Sequence, residues 1–164
     1  MRHRGKDACA WPGWVRAAGL AGAQGRERAG TEHLLLALAD GPAGPAREAL
    51  TSAGLVLGVV RRALAAIAGP DSAPSKPLPL DGVVPGDRAR VILGRAVVLA
   101  EGRRVGIGQP STAAGAATPD DVDVLLALVT SAEPGLARLV LEQHEAVDAI
   151  ERSLLDQTGR HSAT

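Results

Sequence analysis

Gly30-Thr31-Glu32-His33-Leu34-Leu35-Leu36-Ala37-Leu38 is the stretch from which the fold can be worked out. A glycine, a hydroxyl, an acid and a histidine stand directly before an apolar run, the pattern of a buried helix with a polar start. Thr31 fits an N-cap, and Glu32 complements the helix dipole in the first turn. Asp40-Gly41-Pro42 stops the helix. A weaker echo follows: Thr118-Pro119-Asp120-Asp121-Val122-Asp123-Val124-Leu125-Leu126-Ala127-Leu128. There the spacing predicts a cap at Thr118, proline at the first helical position and an acid three residues after the cap. On that reading this helix begins about a turn earlier than the first one does.

The echo extends well beyond these helices. A shift of 90 positions lays residues 35–64 on 125–154 without a gap, placing Leu35-Leu36-Ala37-Leu38 on Leu125-Leu126-Ala127-Leu128, Leu50 on Val140, Val60 on Ile150 and Leu64 on Leu154. A smaller shift of 79 lays Ala17 on Ala96 and Leu20 on Leu99, so the second half carries eleven extra residues before its second helix. Apolar positions are kept while outer polar ones drift, as expected when two halves share one packing plan.

The remaining helices follow from periodicity and stop signals. Trp14, Ala17, Ala18 and Ala21 mark the first, and Pro45 opens a third that ends at Gly54. Val56, Val59, Val60, Ala63, Leu64 and Ile67 form the stripe of a fourth. Five prolines between residues 69 and 87 make a connector, whose Leu78, Leu80, Val83 and Val84 are suited to lie on a helical surface. A fifth helix runs from about Asp87 to Gly102 with Val91, Ile92, Arg95, Val98 and Leu99 on one face. The small-residue run at 107–118 is predicted to be a mobile loop. Leu136, Leu139 and Val140 mark a seventh helix, and Val147, Ile150 and Leu154 an eighth. The expected architecture is all-α, a pseudo-twofold duplication of a four-helix repeat, with eight helices in one compact domain. A flexible leader (1–13) precedes repeat one (14–68), a linker (69–87) and repeat two (88–156), and a flexible tail (157–164) follows.

Composition narrows the function. Eighteen basic and eighteen acidic side chains cancel, so no overall field favours nucleic acid or an anionic membrane. No apolar run has the length of a membrane span, residues 1–14 do not read as a signal peptide, and one cysteine cannot form an internal disulfide. The expected localisation is cytoplasmic. His3, His33, His144 and His161 are scattered singly, and Asp120, Asp121 and Asp123 lack calcium-loop spacing, so neither metal nor other cofactor is implied. No nucleophile, base and acid are grouped for catalysis.

GTEHLLLAL, the Gly-Pro break, AREALTSAGL, VRRAL and the later PGDRARVIL together resemble the amino-terminal double-repeat domain of the Clp AAA+ unfoldases, of the ClpC and ClpA kind. The resemblance spans residues 14–156 and is weaker in the second half. It implies a non-enzymatic module that recognises substrates or adaptors, or regulates Clp-dependent proteolysis in trans; the Clp unfoldase, its adaptors or its substrates would be the partners. No Gly-x-x-x-x-Gly-Lys-Ser/Thr loop is present, so no ATP site accompanies it, and a stand-alone module is implied. The resemblance assigns Thr31 and Glu32 to phosphoarginine-type binding: a carboxylate pairs with guanidinium, and free N–H groups at a helix start suit phosphate. The same three residues also serve as an ordinary capped start, with His33 bonded locally. In repeat two Asp121, Val122 and Asp123 occupy the three places, and Val122 cannot bind guanidinium, so one site is expected. The resemblance places an adaptor or cyclic-peptide groove at Trp11, Trp14, Arg88, Arg90, Val91 and Gly94. The alternative for the tryptophans is packing onto the first helix. A second function that it suggests is sequestration of cyclic-peptide antibiotics that target the unfoldase.

Overall fold

The computed structural model describes residues 10–69, 76–106, 117–132 and 135–161. Among them are eight α-helices: α1 (Trp14–Ala23), α2 (Thr31–Ala39), α3 (Pro45–Ser52), α4 (Leu57–Ala68), α5 (Asp87–Gly106), α6 (Asp121–Thr130), α7 (Leu136–Gln143) and α8 (Ala146–His161). The expected all-α architecture of eight helices is observed.

The predicted equivalences hold in the core. Leu35 and Leu125, Ala37 and Ala127, Leu50 and Val140, Val60 and Ile150, and Ala17 and Ala96 are all fully buried. Packing follows the same symmetry. α1 lies on α2 as α5 lies on α6, α2 on α4 as α6 on α8, and α2 on α7 as α6 on α3. α3 also packs on α8 and α4 on α7, so each half completes the core of the other. Neither four-helix unit is a separate body.

Some helix faces differ from the sequence reading. In α5 the buried residues are Ala89, Ile92, Leu93, Ala96 and Ala100, whereas Val91 and Val98 are exposed. Large valines suggested the inward face, but close approach to α6 selects alanines. In α7, Leu141 is buried and Leu139 exposed. α8 continues to His161, past the predicted start of fraying, and α5 continues to Gly106. Most of the loop predicted at 107–118 lies outside the described residues, but Ala117 is buried.

The connector carries a feature that its prolines hid. Residues Arg28–Ala29 (β1) and Val84–Pro85 (β2) pair in parallel, with Val84 N–H donating to Glu27 O and Gly86 N–H to Ala29 O, both at 2.9 Å. Each strand leads directly into a helix, so the ladder sets the starts of α2 and α5 side by side. The expected docking of the connector is seen in part, since Leu80 and Val84 are exposed. Leu78 N–H donates to Gly22 O at 2.9 Å and Val83 is buried.

The core also reaches into the predicted leader. Trp11 is 1% exposed and its Nε1–H donates to Asp121 Oδ1 at 2.7 Å, joining the beginning of repeat one to the start of α6. Its indole lies against the bare Cα of Gly13, where any Cβ would collide with the ring. Trp14 is 9% exposed. Both tryptophans therefore belong to the core and not to an exposed hot spot. With no Phe or Tyr in the chain, they are its bulkiest apolar side chains, and burying them removes the most area from water.

Candidate functional site

The start of α2 is built without the predicted threonine cap. Gly30 is the N-cap, in extended conformation, and Thr31 is already the first helical residue. Thr31 is 6% exposed, and its Oγ1 lies against the bare Cα of Gly135, the N-cap of α7. The cap is supplied by His33, whose Nδ1 accepts from Gly30 N–H at 3.0 Å while its Nε2 meets Gln24 Oε1 at 3.0 Å. Local bonding of His33 between packed helices is thus as expected.

Repeat two solves the same problem with an acid. Asp123, in the place of His33, accepts from Asp120 N–H at 3.0 Å, and Asp120 accepts from Asp123 N–H at 3.0 Å. The helix therefore begins at Asp121, equivalent to Thr31, and not a turn earlier at Thr118. Two signatures overlapped in the sequence, and the one closing a reciprocal bond pair two residues later prevailed. Asp123 is fully buried and also paired with Arg103 of α5. Its Oδ1 has no hydrogen-bond partner. Burial and the neighbouring Asp120 charge raise its carboxyl above the ordinary range, against the Asp120 amide and Arg103.

Glu32 folds back over Gly30, with its side chain 19% exposed and Oε1 3.3 Å from His33 Nδ1. Burial by itself would raise its carboxyl. The adjoining His33 ring, its own amide and the positive charge of Arg26 outweigh burial and hold it below the ordinary range. It is therefore a carboxylate at neutral pH.

That carboxylate borders a recess of about 360 Å³ lined by residues 30–32, 86–89 and 135–136. These are the first residues of three helices, α2, α5 and α7, each preceded by a glycine. The starts of α2 and α7 have no side-chain cap from the glycine position. Converging helix starts supply N–H donors and positive potential, while Glu32 and the more exposed Asp87 supply negative groups, Asp87 lying 3.6 Å from Arg28 and 4.0 Å from Arg90. Such a recess is suited to a ligand group carrying both charges. Glu32 also lines a second recess of about 390 Å³, with Leu20, Leu36, Leu64 and Leu136 on its apolar wall and Arg61 among its polar residues.

The structure thus brings Thr31, Glu32 and Arg88 together on the first recess. Arg90 turns to the Pro85 carbonyl at 3.3 Å, while Val91 and Gly94 are exposed along α5. Trp11 stands apart from them, against α6. Sequence reasoning missed Gly86 and Gly135 as parts of the site; the signal was a glycine immediately before each helix start. The pseudo-twofold counterpart is a recess of about 350 Å³ that includes Pro12, Arg16, Pro45 and Asp120–Val122. Val122 stands there where Glu32 stands here, and Asp121 is engaged by Trp11 and by Arg16 at 3.7 Å. Among the described residues no group of His, Cys, Asp and Glu is arranged to hold a metal ion, and no single helix is long and apolar enough to cross a membrane.

A family model for the Clp repeat (R) N-terminal domain matches residues 10–106, more than half of the chain. The match begins beside Trp11 and ends with α5, so it contains the Glu32 recess except for its α7 side. No curated protein matches the chain.

Proposed function

The chain belongs to the Clp repeat N-terminal domain family, whose members are non-catalytic protein-interaction modules, and on that basis we propose that it captures substrates or adaptors for Clp-dependent proteolysis or regulates that proteolysis in trans. The observation carrying this reading is the recess at Glu32, where three glycine-preceded helix starts converge beside its largely buried carboxylate, with the exposed Asp87 beside Arg28 at the rim. A phosphorylated guanidinium fits this chemistry. Its cationic plane pairs with Glu32 through charge-assisted bonds, and its phosphate takes the N–H groups and Arg88. Thr31 contributes through its backbone and by seating α7, since its hydroxyl is buried. Val122 and the engaged Asp121 in repeat two favour one such site per chain, and the cytoplasm is the compartment proposed for it.

The test is calorimetric titration with a phosphoarginine peptide beside arginine and phosphoserine peptides of the same sequence. Selective binding of the phosphoarginine peptide, weakened at least about tenfold in Glu32→Gln, is expected for a charge-assisted contact of roughly 1.5–3 kcal/mol. Equal binding by wild type and Glu32→Gln would remove the site. A second reading, sequestration of a cyclic peptide, is favoured by the exposed Val91 and Gly94 on α5. It expects a cyclic peptide to raise the Tm of wild type and not of Val91→Glu.

A further inference from the structure

The carboxylate of Glu32 borders two recesses at once. One holds the converging helix starts; the other, of about 390 Å³, opens where α1, α2, α4 and α7 meet. Each of these helices gives the second recess one leucine: Leu20, Leu36, Leu64 and Leu136 in turn. Leu36 and Leu64 are 5% and 8% exposed and form its floor, while the exposed Ala65 and Ala68 of α4 edge it. Its cations are Arg26 and Arg61, both exposed, and among the described residues lining it Glu32 is the one acid.

Glu32 and Leu136 line both recesses, so the two are continuous around that pair of side chains. Leu36 follows Glu32 by one helical turn, about 6 Å along the same side of α2. An extended peptide covers that distance in about two residues. We infer that the leucine-lined recess reads the sequence around the modified arginine: it takes a large apolar side chain standing within two residues of a phosphoarginine held at Glu32. This rests on the proposed phosphoarginine site and adds to it a class of substrate. The lining selects that occupant in two ways. Its wall and floor are hydrocarbon, so a side chain gains there by leaving water only if it is apolar. Arg26 and Arg61 oppose a second basic side chain, and with Glu32 paired to the guanidinium the recess offers such a side chain no counter-charge. A phosphoarginine flanked by glycine or serine is held at Glu32 alone, and one flanked by lysine is disfavoured.

Calorimetric titration of the full chain with phosphoarginine peptides of a glycine-serine background tests this. Leucine is moved through every position from two before to two after the modified residue. At one or more of these positions leucine should lower Kd about tenfold relative to glycine, as burial of one such side chain provides, and lysine there should raise it. Ala65→Trp and Ala68→Trp, at exposed positions on the edge, fill the recess. Each should keep the circular dichroism of wild type, bind the glycine peptide as wild type does and lose the preference for leucine. With Glu32→Gln still weakening the glycine peptide, equal Kd for leucine and glycine at every position overturns the proposal alone. So does a leucine preference that both fillings leave intact. If Glu32→Gln binds every peptide as wild type does, or no peptide binds, the Glu32 reading fails and this inference with it.

Discussion

Replacing Trp11 by Phe tests whether the two repeats are tied together by one buried polar contact. The Nε1–H donates to Asp121 Oδ1 at 2.7 Å across 110 residues of sequence, and Trp11 is 1% exposed. A hydrogen bond to a charged group contributes about 1.5–3 kcal/mol. The Asp121 side chain is 28% exposed and also has Arg16 at 3.7 Å, so water and Arg16 replace part of the loss. The lower end, about 1.5 kcal/mol, applies. The smaller ring leaves space against Gly13, costing on the order of another 1–2 kcal/mol in packing. The total of about 3 kcal/mol is a large share of a domain's stability and should lower the urea midpoint by roughly 1–1.5 M at an m-value near 2 kcal/mol/M. The assay is urea unfolding followed at 222 nm, on a cycle of Trp11→Phe, Asp121→Ala and the double variant. Asp121→Ala alone also removes an acid from the first turn of α6, and the cycle cancels that term. A coupling energy near 1–1.5 kcal/mol is expected, and one below about 0.5 kcal/mol would refute the tether.

Glu32 is held below its ordinary 4.5, so its contribution is fully present above that value and disappears as pH falls through the lowered one. Unfolding titrations of wild type and Glu32→Gln should therefore diverge toward neutral pH and converge in acid. Asp123 has the opposite sign: its raised carboxyl binds more protons in the folded chain, so stability declines as pH rises from 3.8 through the raised value. Relative to Asp123→Asn, wild type should lose stability over that interval, and a pH-independent difference would refute the assignment. Gly22→Ala would place a Cβ 2.7 Å from Leu78 O and 3.4 Å from Val83, whereas Gly58 has nothing within 4 Å. Gly22→Ala should lower Tm, with overpacking of about 1–3 kcal/mol exceeding the helix gain of up to about 1 kcal/mol, while Gly58→Ala should raise it.

Both proposed binding faces depend on what packing leaves uncovered. Glu32 sits at the edge of the core because β1 ends one residue before α2 and the parallel ladder brings α5 alongside. Arg88, on the first turn of α5, thereby reaches the Glu32 recess. The exposed valines of α5 have the reverse origin. Alanines carry the contact with α6, so the larger residues are displaced outward. In both cases a local pattern acquires its meaning from the neighbouring helix.

The eight helices, their order, the duplication and the core equivalences were determined by sequence alone, because apolar spacing at helical period and Gly/Pro stops are local signals repeated in two halves. The acid at Glu32, and its replacement by Val122, were legible in the same way. Tertiary structure decided which side chain capped each start, that Trp11 and Trp14 were core, and which side of α5 faced inward. It also decided that three helix starts share one recess. Those outcomes depend on contacts between residues tens of positions apart, such as Trp11 with Asp121, Thr31 with Gly135 and Ala29 with Gly86, which no local period encodes.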